Sequence, residues 1–189
     1  LKPRWTFATL LNGLPSLRTL EKYTKSTNFE LNANFAGSRL GGIVTWQKLK
    51  EIKDVWNGPV IAKGITTPED ALSAVECGVD AIYVSNHGGR QLNMNSDTLT
   101  ALKRIRKVIP KNIKIFVDGG FSKAEHVIIA LVLGADYVFL GRSVYRTLEN
   151  GDISRTKSYI HGIKLELENI MVQIGCEKIE DLQNITIYE

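Results

Sequence analysis

From Thr45 onward the apolar positions alternate between helical stripes and short continuous runs. Leu49, Ile52 and Val55 share one face of a helix that Thr45 can cap. The run Pro59-Val60-Ile61-Ala62-Lys63 follows and ends at Gly64. Thr67-Pro68-Glu69-Asp70 then reads as a helix start, with an N-cap, proline at the first helical position and acids in the first turn. That helix turns Ala71, Ala74 and Val75 inward and stops at Gly78. Ala81–Val84 is a second run, and Asp97 caps a helix over Leu99–Val108 striped by Leu102, Ile105 and Val108. Ile113–Val117 is a third run, and Ala124–Leu133 is a helix stopped by Gly134. Tyr137–Leu140 is a fourth run, and a long amphipathic helix spans about Ser154 to Ile174.

Residues 1–44 keep no such period. Gly13, Pro15, Asn28, Asn32, Asn34, Gly37, Gly41 and Gly42 interrupt it. The pattern there predicts a short helix over Arg4–Leu11 and then an irregular polar stretch, either a connector or a lid. Trp5, Trp46 and Trp56 read as packing residues.

Strand followed by helix, four times over, predicts an α/β fold with a parallel sheet. Runs too short to alternate predict strands buried on both faces. Ligands of such sheets sit at the strand C-terminal ends. The polar clusters fall there: Lys63-Gly64, Ser85 to Arg90, Asp118-Gly119-Gly120 and Gly141-Arg142. Four such ends in a row favour a (β/α)8 barrel over an open sheet. A whole barrel takes about 250 residues and eight strands. Residues 45–189 therefore read as the C-terminal half of one, with about four βα units. The chain begins at Leu1 rather than Met, as a processed product, an excised segment or a piece of a longer chain would. A half-barrel has open sheet edges, which calls for a missing N-terminal half or a homo-oligomer.

Composition changes this picture little. The chain is 43% hydrophobic with a net charge of +4, and its charges are interspersed. No basic block with stacking aromatics argues for nucleic acid, and an anionic ligand suits the excess. Cys77 and Cys176 form no CxxC, so neither a disulfide framework nor a metal site is expected. No run of about 18 apolar residues predicts a membrane span. A reducing cytoplasm or an organelle matrix, peroxisomal or mitochondrial, fits this composition.

The chemistry concentrates in Ser85-Asn86-His87-Gly88-Gly89-Arg90-Gln91. A histidine can take a proton near neutral pH. An arginine fork can hold a carboxylate in two places. Together they suggest proton abstraction from a small anionic acid. Asp118-Gly119-Gly120 and Gly141-Arg142 form a phosphate-site pattern, with backbone donors, no side chains in the way and one fixed positive charge. Lys63 would point into the same site and stabilise developing negative charge. His126 and His161 read as surface or packing residues.

The run Ser85 to Leu92 resembles the signature of the FMN-dependent α-hydroxy-acid oxidoreductases, the family of glycolate oxidase, lactate oxidase and the flavin domain of flavocytochrome b2. The likeness continues through Pro59–Gly64, Asp118–Gly120, Gly134-Ala135-Asp136 and Phe139–Arg142. It implies a (β/α)8 barrel and FMN as cofactor. It implies His87 as active-site base, Arg90 as the clamp on the substrate carboxylate, and Lys63 beside the flavin N1–C2=O edge. Ser85 would contact the flavin ring, Asp118 the ribityl chain, and Gly119, Gly120, Gly141 and Arg142 the phosphate region. The implied substrate is a small 2-hydroxy acid, oxidised to the 2-oxo acid. The family's arginine two residues past the Gly-Gly pair is Ser122 here, with Lys123 next to it as a candidate substitute. The family's first half also supplies a substrate tyrosine and an aspartate that orients the histidine. No segment before residue 45 reads as four βα units. A non-catalytic half-barrel is the alternative reading.

Overall fold

Four of the apolar runs pair into one parallel sheet. The computed structural model describes residues 2–13, 16–40, 44–149 and 153–186. The breakers Pro15, Gly41 and Gly42 lie outside them. The described chain divides into two compact units, residues 1–45 and 46–189.

The larger unit opens with α1 (Trp46–Val55). It continues through β1 (Ile61–Ile65), α2 (Pro68–Glu76), β2 (Ala81–Val84) and α3 (Thr98–Val108). Then come β3 (Lys114–Val117), α4 (Ala124–Val132), β4 (Tyr137–Val138), α5 (Arg142–Thr147) and α6 (Ile153–Gln173). The strand order is β1-β2-β3-β4, all parallel, as successive right-handed βα units produce. Thr67 and Asp97 cap their helices as the sequence predicts, accepting from the backbone N–H of Asp70 at 3.2 Å and Thr100 at 2.9 Å. Two aspartates fix where strands begin. Asp80 accepts from Val60 N–H at 2.7 Å, and Asp136 from Ile115 N–H at 2.9 Å. Each follows a glycine-stopped helix, so one short motif both ends a helix and aligns the strand beside it.

The sheet is not buried on both faces within this chain. One face carries Ala62, Ile82, Val84, Ile115 and Val117, packed against α2 and α3 with Ala71, Ala74, Ala101, Leu102 and Ile105. The other carries the ladder row Lys63, Tyr83, Phe116 and Tyr137. Its rings, with Phe139, meet edge-on or tilted at centroid distances of 4.9–6.0 Å. Tyr137 and Phe139 remain exposed. Four strands give an arc rather than a closed barrel, so among the described residues of this unit no opposite wall covers this face. Of the α1 stripe, Leu49 packs against this core, while Ile52 and Val55 are exposed. Val108, expected on the α3 stripe, is exposed, and Ala101 takes its place in the core. Beyond α4, a second cluster of Ile128, Cys176 and Leu182 seats the C-terminal segment with the help of α6.

The smaller unit is more regular than its sequence suggests. Helices span Pro3–Asn12, Arg18–Thr24 and Phe29–Leu40. The polar residues that broke the hydrophobic period form the internal contacts. Asn32 is fully buried, bonds the Thr24 hydroxyl and donates to Ser26 O at 2.9 Å. Tyr23 stacks with Phe35. The three tryptophans expected to pack are all exposed. No helix of the described residues is long and apolar enough to cross a membrane.

Candidate active site

The four polar strand ends meet in one cleft of about 650 Å³ at the C-terminal edge of the sheet. That is the size of a small-molecule or cofactor pocket. Of the nine residues singled out in the sequence, eight line it: Lys63, His87, Arg90, Asp118, Gly119, Gly120, Gly141 and Arg142. Ser85, the ninth, is 1% exposed and sits behind the wall.

Ser85 organises the centre of the cleft. Lys63 Nζ lies 2.9 Å from both Ser85 Oγ and Asp118 Oδ2, and Ser85 Oγ donates to Asp118 Oδ1 at 2.5 Å. The ammonium also lies 4.3 Å from the centre of the Tyr83 ring, a cation–π contact. Burial pushes the Tyr83 phenol well above its ordinary range, and the Asp118 charge adds to this. Burial also acts to raise the Asp118 carboxyl. The hydrogen bonds from Ser85 and Lys63 and the charge of Lys63 outweigh it, so the group stays ionised below the usual carboxylate range. A depressed carboxyl contributes stability that is complete above its unfolded value, about 3.9, and is lost as pH falls through the folded one. Asp118→Asn should therefore unfold at lower denaturant than the wild type at pH 7. The deficit should be about 1 kcal/mol, because solvent screens the partly exposed pair. Urea melts across a pH series should show this gap closing below about pH 4. A gap that is constant with pH would contradict the assignment.

The turn that carries His87 and Arg90 is held by its own backbone and by Asn86. Asn86 Oδ1 accepts from Gly88 N–H at 2.9 Å, and its amide donates to Ser96 O at 3.3 Å. His87 N–H donates to Ser85 Oγ at 3.2 Å, tying the turn to the Lys63 network. His87 itself has φ +53, and Gly88 φ +66. Histidine visits this left-handed region more often than most residues, and glycine does so freely. Glycine at 88 has a second cause, since a Cβ there would overlap the Arg142 guanidinium, which donates to Gly88 O at 3.1 Å. Gly64 breaks the β1–β2 register at φ +93, and a Cβ on it would press on His87 Cε1. Among the described residues neither ring nitrogen of His87 is hydrogen-bonded, and Arg90 has no carboxylate partner. Both groups stand free at the cleft.

Toward α5 the cleft is lined by Gly120, Gly141, Arg142 and Arg146. A Cβ on Gly120 or Gly141 would meet nothing within 4 Å, so both leave room for a ligand. Gly119 differs, because a Cβ there would crowd Asn86 and Thr98. Its small size serves packing. The Phe121–Ser122 turn is braced by Tyr159, whose hydroxyl donates to Ser122 O at 2.9 Å, and by Ser143 Oγ, which donates to Phe121 O at 3.2 Å. His126 has a local structural role, its Nδ1 accepting from Ser122 N–H at 3.3 Å. His161 is exposed. Sequence reasoning passed over Asn86, Tyr83 and Arg146, all in or beside this cleft. Asn86 carried a signal, since asparagine before glycines commonly forms such turns. Tyr83 and Arg146 carried none outside the fold.

A parallel α/β arc with a polar, glycine-lined cleft at its strand C-terminal ends is the arrangement of four βα units of a (β/α)8 barrel. The chain belongs to the FMN-dependent dehydrogenase family, whose profile matches residues 1–189. It resembles a Pediococcus acidilactici protein described as a lactate oxidase, with 35% identity over 89% of this chain and 50% of that one, at a TM-score of 0.74. It also resembles (S)-mandelate dehydrogenase, a monotopic membrane protein, with 28% identity over 95% of this chain and 48% of that one, at a TM-score of 0.83. A mandelate oxidase matches at 31% identity over 76% of this chain and 46% of that one, at a TM-score of 0.71. The chain thus spans about half the length of these structures.

Proposed function

We propose that the complete protein carrying this chain oxidises a small 2-hydroxy acid to the 2-oxo acid with FMN. The observation that carries this reading is one cleft joining a free imidazole, a free guanidinium and a lysine–aspartate pair to a glycine-lined anion site. The residues fit the cofactor. Gly120 and Gly141 leave space for its phosphate, and Arg142 adds charge. Asp118 would hold its ribityl chain, and Ser85 and Lys63 would hold its ring system. When bound, FMN accepts the two electrons of the oxidation.

The chain's own residues supply the rest. Arg90 clamps the substrate carboxylate with its planar fork. This sets the hydroxyl-bearing carbon near His87, three residues away on the same turn. A ring nitrogen of His87 takes the proton released in the oxidation. Lys63, held by Ser85 and Asp118, stabilises negative charge as it develops. Its partners fix its position beforehand, so little reorganisation is needed at the moment of reaction.

The test is the visible spectrum of the purified full-length protein. Flavin absorbance that bleaches under anaerobic addition of glycolate, lactate or mandelate is the expected result. A colourless protein that takes up no FMN, or a flavin spectrum unmoved by any hydroxy acid, would sink the proposal in favour of a non-catalytic half-barrel.

A further inference from the structure

We infer that Arg146 supplies the second guanidinium of the phosphate site, in place of the family's arginine that Ser122 has replaced. The inference rests on the FMN reading above and assigns a binding residue to it. Lys123, the neighbour expected to substitute, does not line the cleft, whereas Arg146 does, beside Ser122, Gly141 and Arg142.

Three observations carry the argument. Arg142 and Arg146 lie four residues apart on α5, so their side chains leave the same helical face. Like charges at that spacing repel and are unfavourable unless an anion lies between or before them. Among the described residues, neither guanidinium pairs with a carboxylate. Finally, the cleft is lined by four cations, Lys63, Arg90, Arg142 and Arg146, and by a single carboxylate, Asp118, which is already paired with Lys63. Among the described residues, no carboxylate pairs with the excess positive charge toward α5. A dianionic phosphate monoester, offering several acceptor oxygens to two planar forks, is the ligand whose charge and geometry match it. Ser122 itself does not replace the lost fork, because its hydroxyl carries no charge and its N–H is engaged by His126 Nδ1.

FMN and riboflavin differ only by the phosphate, so they separate this role from ring binding. Apoprotein of the full-length enzyme is titrated with each flavin, following fluorescence quenching, for wild type, R146Q, K123Q and the double variant R146Q/S122R. The expected result is that R146Q weakens FMN about tenfold, as loss of one charge-assisted hydrogen bond would. Riboflavin affinity should stay unchanged, K123Q should bind FMN as wild type does, and S122R should restore FMN binding in the R146Q background. Wild-type FMN affinity in R146Q, or equal losses of FMN and riboflavin, would overturn the assignment to Arg146 while leaving the flavin reading intact. A wild-type protein that binds neither flavin would instead overturn the proposed function, and this inference with it.

Discussion

His87→Asn should lower turnover of the 2-hydroxy acid by about 10²–10⁴-fold, the usual contribution of a positioned general base. Asparagine is the informative replacement. Position 87 sits at φ +53, a conformation that asparagine tolerates better than most side chains. The turn is also held by Asn86 and Ser85 rather than by the imidazole. The variant should therefore keep its fold and its flavin spectrum while losing the group that takes the proton. Steady-state kinetics beside a flavin content measurement decides the matter. Turnover within a few-fold of wild type would remove His87 from the chemistry, and loss of flavin together with activity would make its role structural.

Lys63→Met should cost about 10²–10³-fold in kcat, the loss typical of removing one preorganised donor to developing negative charge. Methionine keeps an unbranched side chain but removes the ammonium that lies over the Tyr83 ring and pairs with Asp118. Because the interaction grows as charge develops, kcat should fall more than KM rises. Lys63→Arg should recover part of the rate, since it restores the charge but not the compact donor geometry. Stopped-flow measurement of flavin reduction reads the step directly. An unchanged reduction rate in Lys63→Met would show that the Ser85–Lys63–Asp118 network only supports the fold.

Much of the site was legible because its residues fall next to one another in the chain. His87, Arg90 and their glycines share one turn, and a turn is a local object. The strand ends were legible for a similar reason, since each apolar run stops where its polar cluster begins. Thr67 and Asp97 announced their helices because a cap interacts with the backbone only two or three residues away. The helices over Arg18–Thr24 and Phe29–Leu40 were not legible. There the ordering contacts are polar, such as Asn32 with Thr24 and Ser26, and leave no hydrophobic period to read.

The sequence carried the parallel βα succession, the C-terminal strand ends at which the polar clusters fall, and the placing of His87 and Arg90 on one glycine turn. These depend on hydrophobic period, caps and φ-permissive residues, which act over a few residues. Only the tertiary structure decided which sheet face is covered and which carries the aromatic row. It alone brought Asp118 to Lys63, 55 residues away, and Arg142 to the Gly88 carbonyl, 54 residues away. It also set Arg146, rather than Lys123, on the wall of the cleft. Such pairings depend on strand register and helix rotation, which are set by the packing of the whole core and leave no mark at the spacing of neighbours in the chain.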